Sequence, residues 1–254
     1  AMTISLLPQT AFLFMLMFAR LGTLVMLMPA IGERTMPARI RLSLALAITL
    51  VLYPAVSRAY PAMPASFAGV LTALAGELMI GFGLGLIARM ITTSLQTAGT
   101  TIAFQMGLGF ALSVDPSQGQ QGAIIGNFLT ILALTMIFVT DLHHLVLAAL
   151  YDSYTMFQPG ETWPVGDFSA AALRTITETF VIGIQIAAPF IVFGLIFNLG
   201  LGILSRLMPQ LQIFFIAMPA SIMVGFILLM FLIGAVMMWY LDHVEMLLGR
   251  FVVH

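Results

Sequence analysis

Apolar residues run through this chain in long blocks that show no alternation of apolar and polar positions, which is the pattern of buried or lipid-facing helices rather than strands. Residues 4–30 are apolar apart from Ser5, Gln9, Thr10, Arg20 and Thr23, long enough for a first span, since about 20 apolar residues cross a bilayer. Residues 31–41 carry Gly32, Glu33, Arg34, Pro37, Arg39 and Arg41 and read as a turn. A shorter run at 42–56 is marginal as a span, and the proline-rich stretch 53–67 reads as a loop. Residues 68–88 form the next span, with Glu77 inside it. A polar stretch follows at 89–105, then a glycine-, serine- and glutamine-rich loop at 106–122. Further spans are expected at 123–140, 180–204 and 213–241. Between them lie the least apolar stretch, 141–178, and a short polar turn, 205–212. The expected fold is therefore all-α and polytopic, with about six long apolar helices and no strands. Residues 1–254 read as a single helical domain.

Composition sharpens this picture. Hydrophobic residues make up 61% of the 254 and charged residues 7%, against roughly a quarter charged in soluble domains. One globule of this length cannot hide so much apolar surface, so lipid or equally apolar partners must cover it. Backbone groups in such surroundings must be satisfied within their own segment, which favours helices. The opening segment has no basic residue before Arg20 and reads as a first membrane helix rather than a cleaved signal. The net charge is −1, with no lysine, so there is no basic field for nucleic acid. Arg34, Arg39, Arg41, Arg206 and Arg89 gather on one side of the span count, and the acids Asp141, Asp152, Glu161, Asp167 and Glu178 on the other. The positive-inside rule then puts both termini outside the cytoplasm, although Arg58 and Arg174 run against it.

Chemistry-bearing motifs are few. The sequence has no cysteine, no phosphate-binding glycine loop and no H-E-x-x-H pair, so no cofactor is expected and the chain does not read as an enzyme. His143 and His144 are adjacent, project about 100° apart on a helix, and read as a polar pair at a membrane boundary rather than a metal site. Arg20 and Glu77 are charges inside apolar spans, each costing about 2.5–3.5 kcal/mol at a helix centre unless paired. A structural ion pair is the favoured reading over an ion relay, because the chain offers too few ionisable groups in file. Gly81, Gly83 and Gly85, and again Gly122 and Gly126, are small residues that let helices approach closely, within the chain or between subunits. Arg89, Thr93, Gln96 and Thr100 share one helical face, open to two readings: a water-filled conduit, or a helix that continues beyond the bilayer. Nineteen methionines supply flexible apolar filler.

Several polar and glycine landmarks together resemble the FliR family of the flagellar type III export gate, which has relatives in injectisomes. They begin with Arg20, Pro29, Gly32, Pro37, Arg39 and the run 42–46. Gly76-Glu77-Leu78-Met79-Ile80-Gly81 with Gly83 and Gly85 continues the match, followed by Ala98-Gly99-Thr100-Thr101-Ile102, Gln105-Met106-Gly107-Leu108 and Asp115-Pro116. Pro209-Gln210, Phe214-Phe215-Ile216-Ala217-Met218-Pro219 and Gly225-Phe226 complete it. The resemblance covers nearly the whole chain. It implies a structural and gating subunit of a protein-export channel in the bacterial inner membrane, at the flagellar basal body. A single copy is implied to assemble with FliP-like and FliQ-like subunits, with an FlhB-like protein outside, and to pass unfolded exported polypeptides. Helices of such an assembly are wound into a spiral raised toward the periplasm, where partner helices rather than lipid cover apolar faces.

The same resemblance implies that residues 106–122 form a plug below an apolar ring. Gly107, Gly109, Gly119 and Gly122 would allow rearrangement. Met106, Leu108, Phe110 and Leu112 would contribute apolar bulk, and Gln118, Gln120 and Gln121 uncharged hydrogen bonds. Asp115-Pro116 would mark the turn. Arg20, Glu77, Arg89 and Arg206 are the expected structural charges. The runner-up reading is a small-solute or ion transporter subunit, but the internal repeats and paired broken helices usual there are not evident.

Overall fold

A computed structural model describes residues 3–28, 37–108, 124–160, 165–208 and 213–250. Among these residues all regular structure is helical: α1 (Thr3–Leu27), α2 (Ala38–Val56), a 3₁₀ turn (Ser57–Ala59), α3 (Phe67–Gln105), α4 (Ile124–Val139), α5 (Leu142–Met156), α6 (Val165–Leu207) and α7 (Ile213–Gly249). Five of these, α1, α2, α3, α6 and α7, are long and apolar enough to cross a membrane. A sixth span arises if α4 and α5 are taken as one broken helix.

Three helices outrun the expected spans. α3 has 39 residues, α6 43 and α7 37, so α3 alone is about 58 Å long at 1.5 Å per residue, nearly twice a bilayer core. The polar stretch 89–105 continues α3 without a break, because its hydroxyls turn back onto their own helix. Ser94 donates to Ile91 O, Thr97 to Thr93 O, and Thr101 to Thr97 O. The least apolar stretch, 141–178, which is not counted among the expected spans, holds α5 and the start of α6. Likewise Pro54 lies within the last turn of α2, not in the loop beyond it.

Helix ends follow local rules. Pro37, extended at φ −55° and ψ 138°, precedes α2, and its carbonyl accepts from Ile40 and Arg41 N–H. α3 stops at Gly107, whose φ of +85° suits glycine. Gly107 N–H donates to Phe104 O and Leu108 N–H to Ala103 O, the paired closure that satisfies the last carbonyls of a helix. Asp141 opens α5 in the left-handed region, at φ 58°, a conformation Asp tolerates better than most side chains.

The chain divides into two compact units. The first comprises 1–90, 140–175 and 244–254, and the second 91–139 and 176–243. In the first unit α1 supplies the centre: Leu13, Met17, Leu21, Leu24 and Met28 recur at helical spacing and pack with Val56, Tyr60, Leu150 and Tyr154. The span of α1 is 56% buried and that of α2 only 17%, so α2 lies at the periphery of its unit. In the second unit, Ile91, Leu95, Ala98 and Ile102 of α3 form a buried face, and buried residues are contributed by α4 (Leu129, Ala133), α6 (Ile186, Phe190) and α7 (Met237, Tyr240). Many large apolar side chains remain exposed, among them Val51, Phe104, Ile131, Leu199 and Phe231. Lipid or partner helices must cover them.

Candidate functional site

Two constellations carry the polar chemistry, one in each unit. In the first, Arg20 of α1 is fully buried and Glu77 of α3 nearly so. Arg20 Nε donates to Glu77 Oε2 at 2.5 Å and Nη2 to Glu77 Oε1 at 3.1 Å, a bidentate pair. Arg20 Nη1 donates to Ser153 O (3.1 Å) and Phe157 O (2.9 Å). These carbonyls lie at the C-terminal end of α5, where a positive charge also meets the negative end of the helix dipole. The guanidinium carbon stands 4.5 Å from the Tyr154 ring centroid, and Tyr154 meets Tyr60 edge-on at 6.2 Å. Burial pushes the Tyr60 phenol above its ordinary value, and the neighbouring Tyr154 and Glu77 add to this, so Tyr60 stays neutral.

Glycines set the distance across this pair. Glu77, Gly81 and Gly85 recur every four residues along one face of α3. A Cβ at Gly81 would collide with Thr23 Oγ1 and the Arg20 carbonyl, and one at Gly85 would come within 2.7 Å of Leu27 Cβ. Gly83 faces the Phe168 ring in the same way. All three glycines thus serve contacts within the chain, and Gly81 and Gly85 let α3 approach α1 closely enough for Glu77 to reach Arg20. The arrangement binds three helices at one buried point. It is suited to fixing geometry.

In the second unit α3 is the hub. A Cβ at Gly99 would overlap the backbone of Gly126 on α4, and one at Gly126 would lie 2.6 Å from Gln96 Oε1. Gln96 Nε2 donates to Asn127 Oδ1 (3.2 Å) and Thr130 Oγ1 (3.0 Å), and Thr130 Oγ1 donates to Gly126 O. Gly183 and Gly194 of α6 face Ser94 O and the Gln105 side chain, and Gly225 of α7 faces Met106. The face Arg89, Thr93, Gln96, Thr100 is therefore split. Gln96 is an interhelical bridge, whereas Thr100 bonds its own helix at Gln96 O and Thr97 O, and Arg89 is exposed.

At the end of α3, Met106 is fully buried, Gly107 terminates the helix and Leu108 is half-buried. A cavity of about 230 Å³ opens beside them, lined by Phe104, Gln105, Asn198, Met218 and Ser221 among others. Gly109, Phe110, Leu112, Asp115, Pro116, Gln118, Gly119, Gln120, Gln121 and Gly122, the rest of the expected plug, lie outside the described residues. Arg206 is exposed in the last turn of α6, where a cation suits the helix dipole. Asp141, His143 and His144 converge with potential ligand atoms within 4.8 Å of one another, at the mostly exposed start of α5. Sequence reasoning saw only the histidine pair there. It also missed Ser153 and Phe157, because backbone acceptors carry no side-chain signature. Gly183, Gly194 and Gly225 could have been found as small residues on apolar helices.

Residues 11–247 match the profile of the family described as bacterial export proteins, family 1. The chain is 43% identical over 236 residues to the flagellar biosynthetic protein FliR of Caulobacter vibrioides, covering 93% of this chain and 94% of that one. Identity to FliR of Bacillus subtilis is 32% over 219 residues (85% and 84% covered), and to FliR of Escherichia coli 30% over 217 residues (81% and 78%). With a helical polytopic fold and a match running almost end to end, the chain belongs to the FliR family of bacterial export proteins.

Proposed function

We propose that this chain is a structural and gating subunit of the flagellar protein-export channel in the bacterial inner membrane, working as one export-gate domain. The observation that carries this reading is the 43% identity to a flagellar FliR across 93% of the chain. Burial supports it too: α2 and much of α7 present large apolar side chains outward, as a subunit awaiting neighbours would. The neighbours in this reading are FliP-like and FliQ-like subunits around a single copy of the chain, with an FlhB-like protein at the periphery. The role is not enzymatic in this reading: the buried charges are joined in a bidentate pair, and Gln96 of the α3 hub ties α3 to α4 through Asn127 and Thr130.

Within the reading, 106–122 is the plug. Gly107 releases the chain from α3 directly after a buried anchor, Met106 against Gly225. The segment then holds Gly109, Gly119 and Gly122, the apolar Phe110 and Leu112, and a single charge, Asp115. A compliant loop below an apolar constriction can exclude water and ions, because narrow apolar pores dewet. The arginine-rich side faces the cytoplasm, as the positive-inside rule asks.

Co-expression with FliP-like and FliQ-like partners and affinity capture through this chain tests the proposal. A complex of defined mass with one copy of the chain is expected. A stable, monodisperse chain that captures neither partner would count for the transporter reading instead.

A further inference from the structure

We propose that Asp141, His143 and His144, at the start of α5, bind a Zn²⁺ ion whose remaining coordination is completed by water. Each side chain offers one ligand atom, and the three atoms lie within 4.8 Å of one another. The residue types suit the ion: imidazole nitrogen and carboxylate oxygen are ordinary zinc ligands, and three protein ligands with water in the fourth position is a common arrangement. All three residues stand within one turn of the first unit, so the site borrows nothing from another element.

The backbone brings them together. Asp141 is left-handed at φ 58°, and its carbonyl accepts from His144 N–H at 3.0 Å. That closure sets side chains 141 and 144 on one side of the turn, with His144 Nδ1 4.0 Å from Asp141 Oδ1. Adjacent side chains diverge by about 100° on a regular helix. Here the rings of His143 and His144 converge instead, with centroids 4.2 Å apart and planes 35° apart. Two imidazoles bound at right angles to one zinc have centroids about 4.5 Å apart, taking Zn–N as about 2.0–2.1 Å. The pair is therefore already spaced for a shared ion. Donors on one zinc stand about 3.0–3.4 Å apart, so Asp141 and His144 close by about 1 Å or less. Both side chains are exposed and rotate that far without disturbing the core.

Asp141 also has the charge to spare. An aspartate at the N-cap position usually accepts from the N–H groups of the first turn, but Asp141 makes no side-chain cap hydrogen bond. Its carboxylate offsets the positive end of the α5 dipole, which by itself would repel a cation. No arginine lies in the first turn of α5 to compete for it. The assignment is independent of the plug.

The test uses the complex assembled with its partners, purified through a histidine-free tag, stripped with chelator and titrated with Zn²⁺. Metal analysis after dialysis should show one zinc more per complex in the wild type than in the double variant His143→Gln, His144→Gln. Asp141→Asn, which keeps a side chain tolerant of the left-handed region, should weaken binding by about tenfold or more. Partner capture checks that each variant assembles. In the wild type, Zn²⁺ should protect His143 and His144 from diethylpyrocarbonate, read by peptide mass spectrometry, and Mg²⁺ at the same concentration should not. Equal zinc in wild type and double variant, no protection by Zn²⁺, or equal protection by Mg²⁺ would overturn the proposal. Unchanged affinity in Asp141→Asn would remove the carboxylate from the site.

Discussion

Arg20 and Glu77 meet across α1 and α3 through two hydrogen bonds, and the same guanidinium closes two carbonyls at the end of α5. The cation is thus held by a carboxylate, by the α5 carbonyls and by the Tyr154 ring face. These supports are unequal in kind. Only Glu77 neutralises the charge, while the others solvate it.

Glu77→Gln is expected to assemble and to keep most export, because the amide oxygen still accepts from Arg20 and the α5 carbonyls remain. Glu77→Ala should lose about 3–5 kcal/mol, the usual consequence of removing one partner of a buried pair. Motility of complemented cells reads export, and captured partner per unit of chain reads assembly. A Glu77→Gln complex that assembles fully yet exports nothing would mean that the carboxylate moves protons or ions.

A Cβ on Gly99 would overlap the Gly126 backbone, so position 99 does not tolerate even a methyl group. Gly99→Ala should cost about 1–3 kcal/mol through overpacking and lower the yield of complex. Gly76→Ala and Gly200→Ala are matched controls, since an added carbon there meets nothing within 4 Å. Thermal melting of the purified complex separates the two classes. Equal melting of Gly99→Ala and the controls would mean that α3 and α4 are not packed this closely.

How much of this was readable in the sequence depended on where the partner atoms sit. The apolar run after Ile4 predicted α1, and the charges in apolar runs marked Arg20 and Glu77, since side-chain charge and hydropathy are local properties. The length of α3 was readable only as one of two alternatives, a helix continuing past its apolar span. Thr93, Ser94, Thr97, Thr100 and Thr101 look like a departure from the membrane, yet hydroxyls that bond the preceding turn satisfy themselves and let the helix continue. α5 was hidden for a related reason. Asp141 and Asp152 flank an apolar face that includes the buried Leu150, and a window average over 141–178 dilutes it. The α5 carbonyls at Arg20 could not be read at all, because every residue has one.

Gly107→Ala should destabilise the end of α3 by about 1–2 kcal/mol, the strain of a left-handed L-residue. Gly107→Asn should be milder, since Asn visits that region more readily. Hydrogen exchange at Gln105 to Leu108 in the assembled complex reads the effect locally. Protection unchanged in Gly107→Ala would show that the closure there is not held by the glycine.

The chain made without partners should be poorly behaved, because exposed side chains such as Leu50, Val51, Leu195, Leu199 and Phe231 leave broad apolar faces. Size-exclusion profiles in mild detergent should be broad for the lone chain and sharpen when the partners are co-expressed. A sharp, heat-stable monomer peak would remove the need for covering subunits.

The plug reading has its own test. Any pore wide enough for an unfolded polypeptide is far wider than water or an ion, so the resting channel needs a closure that can yield. Residues 109–119 have the composition for it, with glycines for compliance, Phe110 and Leu112 for bulk, and Asp115 as the single charge. The segment leaves α3 beyond Gly107, where the helix has already satisfied its last carbonyls. Shortening 109–119 should therefore leave α3 and α4 packed through Gly99 and Gly126. Assembly should survive, while the resting membrane becomes permeable to ions and small molecules and export continues with less selectivity. Conductance of reconstituted complex, read beside partner capture, measures both halves of the expectation. An intact complex with wild-type resting conductance would reduce the segment to a connector and move the seal to other side chains of the channel.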